Sequence, residues 1–185
     1  MMGYVLRACF IPVSANHDLV EITAYYAEEF GENIQYDPNA AFAAVGAESE
    51  SDFEPYDLAR DSARFGEALG IQFTTYGDDF LLYDHWCNGV CVRALTFSPT
   101  EGWVRVAGAA EEWERAAFFP AGRLEQDLAG LECDSHRSDK AQRIAQLHHL
   151  LEVQHLTQGD RYPVITGEGT WFELMKHFKL TWPQI

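Results

Sequence analysis

The sequence predicts an α+β protein: an antiparallel sheet built around a β-meander at about residues 71–106, with helices packed on one face. Three observations carry this expectation. Residues 71–106 alternate apolar and polar side chains around tight-turn pairs at Gly77-Asp78 and Asn88-Gly89. Apolar stripes at three- and four-residue spacing mark helices on both sides of that stretch. No repeat, heptad or linker composition divides the 185 residues, so a single domain over 1–185 is expected.

Taken in order, Tyr4 to Ile11 alternate and are rich in β-formers, giving a first strand stopped by Pro12. From Asn16 to Phe30, Leu19, Ile22, Tyr26 and Phe30 recur at helical intervals. Asn16 or Ser14 suits the N-cap, Asp18 and Glu21 suit the positive end, and Gly31 suits the exit. Between residues 33 and 56 lie Asp37-Pro38-Asn39, an Ala-rich segment at 40–47 and the acidic run 48–52, the last of which reads as a solvated loop. Leu58, Ala59, Ser62, Phe65 and Leu69 then form a second stripe, a helix from Pro55 to Leu69 closed by Gly70.

The meander permits residue-level registers. A two-residue loop at Gly77-Asp78 sets Thr75 opposite Phe80 and Phe73 opposite Leu82. An Asn-Gly pair favours a type I′ turn, because both central residues need positive φ. Counting outward from Asn88-Gly89 sets Cys87 opposite Val90, Trp86 opposite Cys91, His85 opposite Val92, Asp84 opposite Arg93, Leu82 opposite Leu95 and Phe80 opposite Phe97. One face would then carry Phe80, Leu82, Trp86, Cys91, Leu95 and Phe97 around an Asp84–Arg93 ion pair. A three-residue loop would instead set Cys87 against Cys91. Beyond Phe97, a loop at 98–102 leads to a strand from Trp103 to Val106. Gly108 to Trp113 breaks the pattern, and Glu111-Glu112-Trp113-Glu114 is the densest mixture of carboxylate and aromatic. A short helix is expected from Pro120 to about Leu131. A longer one from Lys140 to Leu156 carries Ile144, Leu147, Leu150, Leu151 and Leu156 and stops near Gly159. Residues 163–165 read as extended, Gly167 and Gly169 as a turn, and Thr170 as the cap of a last helix through Phe178.

Composition narrows the function. With 47% hydrophobic and 14% aromatic residues the chain has ample material for a core. A formal charge of −16 repels phosphate backbones, which argues against nucleic acid; it reads either as solubility or as an acidic surface that steers a basic partner or mimics a polyanion. A start without a basic n-region and the lack of long apolar runs lead to the expectation of a cytoplasmic protein without membrane attachment. The four cysteines, Cys9, Cys87, Cys91 and Cys133, are scattered and read as reduced thiols.

Asp84 and Arg93 are the first site candidates, since a guanidinium fork beside Trp86 suits a carboxylate or small anion. Glu114, Trp103 and Trp113 extend that candidate lining, and carboxylates at Asp78, Asp79, Asp84, Glu111, Glu112 and Glu114 near tryptophans would suit a sugar cleft. His148, Glu152 and His155 at i, i+4 and i+7 would share a helix face and offer metal ligands, supplemented by Glu173 and His177. Cys133, Asp134 and His136 read as polar loop residues. Nucleophile-elbow, phosphate-loop, dinucleotide and zinc-protease motifs are missing. The expected function is a non-catalytic protein-interaction module of inhibitor or immunity type, without a cofactor. The alternative is a small enzyme or ligand-binding protein with a pocket lined by Asp84, Trp86, Arg93 and Glu114.

Overall fold

A computed structural model describes residues 5–30, 34–46, 57–74, 80–133, 138–161 and 167–181. The 77–78 turn, the acidic run 48–52, residues 163–165 and the pair Asp134 and His136 lie outside the described residues. Among the described residues seven strands form one antiparallel sheet: β1 (Val5–Pro12), β2 (Ile34–Gln35), β3 (Phe42–Gly46), β4 (Glu67–Thr74), β5 (Phe80–Cys87), β6 (Val90–Ser98) and β7 (Gly102–Gly108). Their order is β2-β3-β1-β4-β5-β6-β7, so the expected meander β4 to β7 is extended by β1 and by a strand pair that the sequence did not announce.

The Ala-rich segment is the clearest addition. Alanine is a poor strand former in isolation. Here the segment is buried on both faces of β3: Ala44 joins one apolar cluster, and Ala43 and Val45 join the other. The helices are α1 (Leu19–Phe30), α2 (Leu58–Phe65), α3 (Glu112–Phe118), α4 (Arg123–Cys133), α5 (Lys140–Val153) and α6 (Gly167–Phe178). α3 to α6 pack with Leu69, Ile71, Phe73, Leu81, Tyr83, Leu95 and Phe97 on the larger face. Helices cover part of the second face as well, where α1 and α2 bury Ile22, Tyr26 and Phe65 against Cys9, Ile11 and Ala68.

Local chemistry sets several boundaries apart from the sequence expectation. Asp18, rather than Ser14 or Asn16, caps α1, its Oδ1 accepting the Glu21 N–H at 2.9 Å. α2 ends at Gly66, whose φ of 88° is a left-handed exit, so Leu69 belongs to a strand although its spacing continues the helical stripe. α3 fills the break after Gly108 through a capping box, in which the side chains of Glu111 and Glu114 bond each other's backbone N–H. Gln154 takes φ 50°, which ends α5 before His155 and Leu156. α6 starts at Gly167, so Gly167 and Gly169 lie within it.

The β5–β6 turn is a two-residue one, with φ 49° at Asn88 and 80° at Gly89, and Cys87 and Cys91 face opposite sides. Cys87 pairs with Val90 and Trp86 with Cys91, as expected. Beyond them a β-bulge inserts Val92 into β6, so His85 lies opposite Arg93 and Asp84 opposite Ala94. This corrects the expected Asp84–Arg93 opposition. The β4–β5 register also differs by one residue, with Thr74 opposite Phe80 and Phe73 opposite Leu81. Leu81, Tyr83 and His85 therefore face the larger core, while Phe80, Leu82, Asp84 and Trp86 take the second face and stay only half-buried.

Gly108 lies opposite Arg93 with φ 82°, and a Cβ on it would collide with the Val92 carbonyl. Gly108→Ala is expected to destabilise the fold by about 1–3 kcal/mol in urea unfolding. Gly46→Ala, where a Cβ meets open space, stays within about 0.5 kcal/mol.

Candidate functional site

The bulge turns Arg93 into the larger core, where it is 2% exposed. Its Nε and Nη2 donate to Glu114 Oε1 and Oε2 at 2.7 and 2.6 Å, a bidentate fork, and Nη1 donates to the carbonyls of Ala107 and Gly108 at 3.2 and 2.9 Å. Glu114 is 3% exposed. Its Oε1 also accepts the Glu111 N–H at 2.9 Å. The guanidinium is thus committed to four oxygens of its own chain. Asp84 instead accepts Arg105 Nη1 at 3.0 Å on the second face. Burial raises the Asp84 carboxyl from its ordinary value against the opposing pull of Arg105.

The same capping box holds a second cluster. Glu111 Oε2 accepts the Tyr83 hydroxyl at 2.5 Å and Trp113 Nε1–H at 2.7 Å. Its Oε1 lies 2.5 Å from His85 Nδ1. On the other side of the imidazole, Nε2 lies 2.9 Å from Glu67 Oε1 and 3.3 Å from Cys87 Sγ. The β4–β5 pairing accounts for this convergence: Glu67 sits directly opposite Cys87, and His85 is two residues before Cys87 on the same face. The Phe178 ring closes the imidazole edge-on, with centroids 5.4 Å apart.

Neither a protein-family model, nor a curated protein, nor a solved structure matches this chain.

Burial works against a charged His85, but the hydrogen bonds and charges of Glu111 and Glu67 prevail and raise its pKa to about 9. Burial likewise disfavours the Glu111 carboxylate, yet His85, Tyr83 and Trp113 hold its pKa below the usual value. Burial, Glu67 and Glu111 push the Cys87 thiol up. Thiol, imidazole and carboxylate follow the order of a cysteine nucleophile, its base and its orienting group. The protonation states oppose that chemistry, because an imidazolium has no lone pair for the thiol proton and two carboxylates disfavour the thiolate.

The remaining sequence candidates are separated by the fold. Asp84 and Trp86 occupy one face of the sheet, while Arg93 and Glu114 occupy the other, so the four do not line a common pocket. Trp103 and Trp113 are 0% and 2% exposed and pack edge-on to Phe118, which makes them core rather than sugar platforms. His148 and Glu152 are exposed on α5, and His155, beyond the helix end, directs Nδ1 to the Val153 carbonyl at 3.0 Å. The face-sharing expected of the three fails because the left-handed Gln154 intervenes. Glu173 lies 3.8 Å from Lys176 rather than joining them. Cys133 is exposed.

Glu67, Tyr83, His85 and Cys87 were not singled out as site residues from sequence. The His85-x-Cys87 spacing on a strand was a usable signal, since alternate residues share a face. The carboxylates were not traceable without the register.

Two measurements check this description. Arg93→Met leaves the Glu114 carboxylate buried and uncompensated and is expected to cost about 3–5 kcal/mol in denaturant unfolding. The double variant Arg93→Met with Glu114→Leu should recover most of that loss, and equal destabilisation of both would sink the account. For His85, the folded pKa lies above the ordinary value of 6.5. Its contribution is therefore complete below about pH 6.5 and is lost as pH rises toward about 9. In chelator-containing buffer the melting temperature should decline across that window, and His85→Gln should flatten the decline.

Proposed function

We propose that the protein is a non-catalytic interaction module, of inhibitor or immunity type, whose partner is a basic protein. The observation that carries this reading is the saturation of Arg93: with Glu114 and two backbone carbonyls occupying it, the guanidinium is not offered to a small anion. A cleft of about 220 Å³ includes Pro99, Thr100, Asp139, Arg143 and Arg161 in its lining and none of the sequence-derived candidates. The formal charge of −16 supports a cationic partner, for which long-range attraction raises the encounter rate. Support for the contact face comes from the second side of β5 and β6, where Leu82, Asp84, Trp86 and Thr96 are half-buried while Leu81, Tyr83, Leu95 and Phe97 behind them are buried. A tryptophan beside a carboxylate on a sheet surface suits an interface rich in Lys or Arg. Among the described residues no helix is long and apolar enough to cross a membrane.

Capture of partners from native extract on the immobilised chain, followed by stopped-flow association of the purified partner, tests the proposal. A basic protein is expected, with an association rate that falls at least about tenfold between low and high salt. Trp86→Ala should accelerate its dissociation at least about tenfold. A rate indifferent to ionic strength, or a Trp86→Ala variant that binds unchanged, would overturn the reading.

A further inference from the structure

We propose that Glu67, His85 and Cys87 bind one divalent transition-metal cation, zinc in preference to magnesium or calcium, between the first residue of β4 and the last turnward residues of β5. This site is independent of the proposed interaction face. One ligand atom from each residue, Oε1, Nε2 and Sγ, falls within 4.8 Å of the other two. The sheet enforces that proximity, because Glu67 and Cys87 are direct cross-strand partners and His85 is the next residue on their face.

The spacing is close to that of a tetrahedral centre. Ordinary zinc bonds of about 2.0–2.2 Å to nitrogen and oxygen and about 2.3 Å to sulfur imply edges of about 3.4 Å for N···O and about 3.6 Å for N···S. The separations here are 2.9 and 3.3 Å. An outward movement of a few tenths of an ångström by two side-chain ends admits the ion, and both Glu67 and Cys87 are half-buried rather than locked in the core.

The outer groups match as well. A histidine that ligates through one nitrogen usually donates its other N–H to a carboxylate, which fixes the tautomer and strengthens the ligand. Glu111 occupies that position on Nδ1, and Tyr83 and Trp113 hold Glu111 in turn. A mixed nitrogen, oxygen and sulfur set favours zinc-like ions over the all-oxygen preference of magnesium and calcium. Coordination uses the Nε2 lone pair and the Cys87 thiolate, so the cation displaces one proton from each. Three protein ligands leave a fourth position for water or a partner's side chain.

Titration of the purified, chelator-treated full chain with Co²⁺ tests the site, since cobalt reports thiolate ligation by near-ultraviolet charge-transfer absorption and tetrahedral geometry by intense visible bands. Saturation at one equivalent is expected, with competition by Zn²⁺. Cys87→Ser should abolish the charge-transfer band. Glu111→Gln, which leaves all three ligands in place and changes the group behind His85, should weaken affinity about 10–100-fold. Cys91→Ser, on the opposite face, should change nothing. A measurement that needs no variant accompanies these: Zn²⁺ should slow alkylation of Cys87 at least about tenfold, read by peptide mass spectrometry, and leave Cys91 and Cys133 unaffected. Absence of a charge-transfer band in the wild type, a band that survives Cys87→Ser, or zinc-indifferent alkylation of Cys87 would each overturn the proposal.

Discussion

The buried fork between Arg93 and Glu114 is the constraint around which the rest of the structure is arranged. Two opposite charges at 2% and 3% exposure have to satisfy one another and every remaining donor, because an unpaired charge in that position costs several kcal/mol. Arg93 reaches the core only because Val92 is inserted into β6, and Val92 is accommodated because Gly108 supplies the backbone room beside it. Bulge, glycine and ion pair therefore form one device, which ties the β6–β7 edge to the start of α3.

That device also organises the neighbouring cluster. Glu114 accepts the Glu111 N–H, and Glu111 projects from the same helix start onto His85, Tyr83 and Trp113. Negative charge at a helix N-terminus is favoured by the backbone dipoles. Two carboxylates are thus held at the start of α3, one neutralised by Arg93 and one by His85. The second is the more versatile, because the imidazole it orients presents its other nitrogen to Glu67 and Cys87.

Elements with strong local signals were legible in the sequence. Residues 71–106 marked the meander, and the Ile144, Leu147, Leu150 and Leu151 stripe marked α5, because alternation and helical periodicity record which side chains are buried. Signals that depend on partners were not. Ala43 and Ala44 are buried in apolar clusters on opposite faces of the sheet, a placement that alanines in isolation do not announce. Leu69 continues a helical spacing yet belongs to β4, since a single left-handed glycine at position 66 redirects the chain.

The sequence by itself determined the α+β class, the Asn88-Gly89 turn, the opposite facing of Cys87 and Cys91, and the acidic character of the molecule. Each follows from local conformational preference or from composition. Tertiary structure alone decided the pairing of charges: Arg93 with Glu114 rather than Asp84, Asp84 with Arg105, and His85 with Glu111 and Glu67. The reason is the period of two in a strand, by which one inserted residue sends every later side chain to the other face. The inserted Val92 puts Arg93 on the face where Glu114, from a helix that starts twenty residues later, receives it.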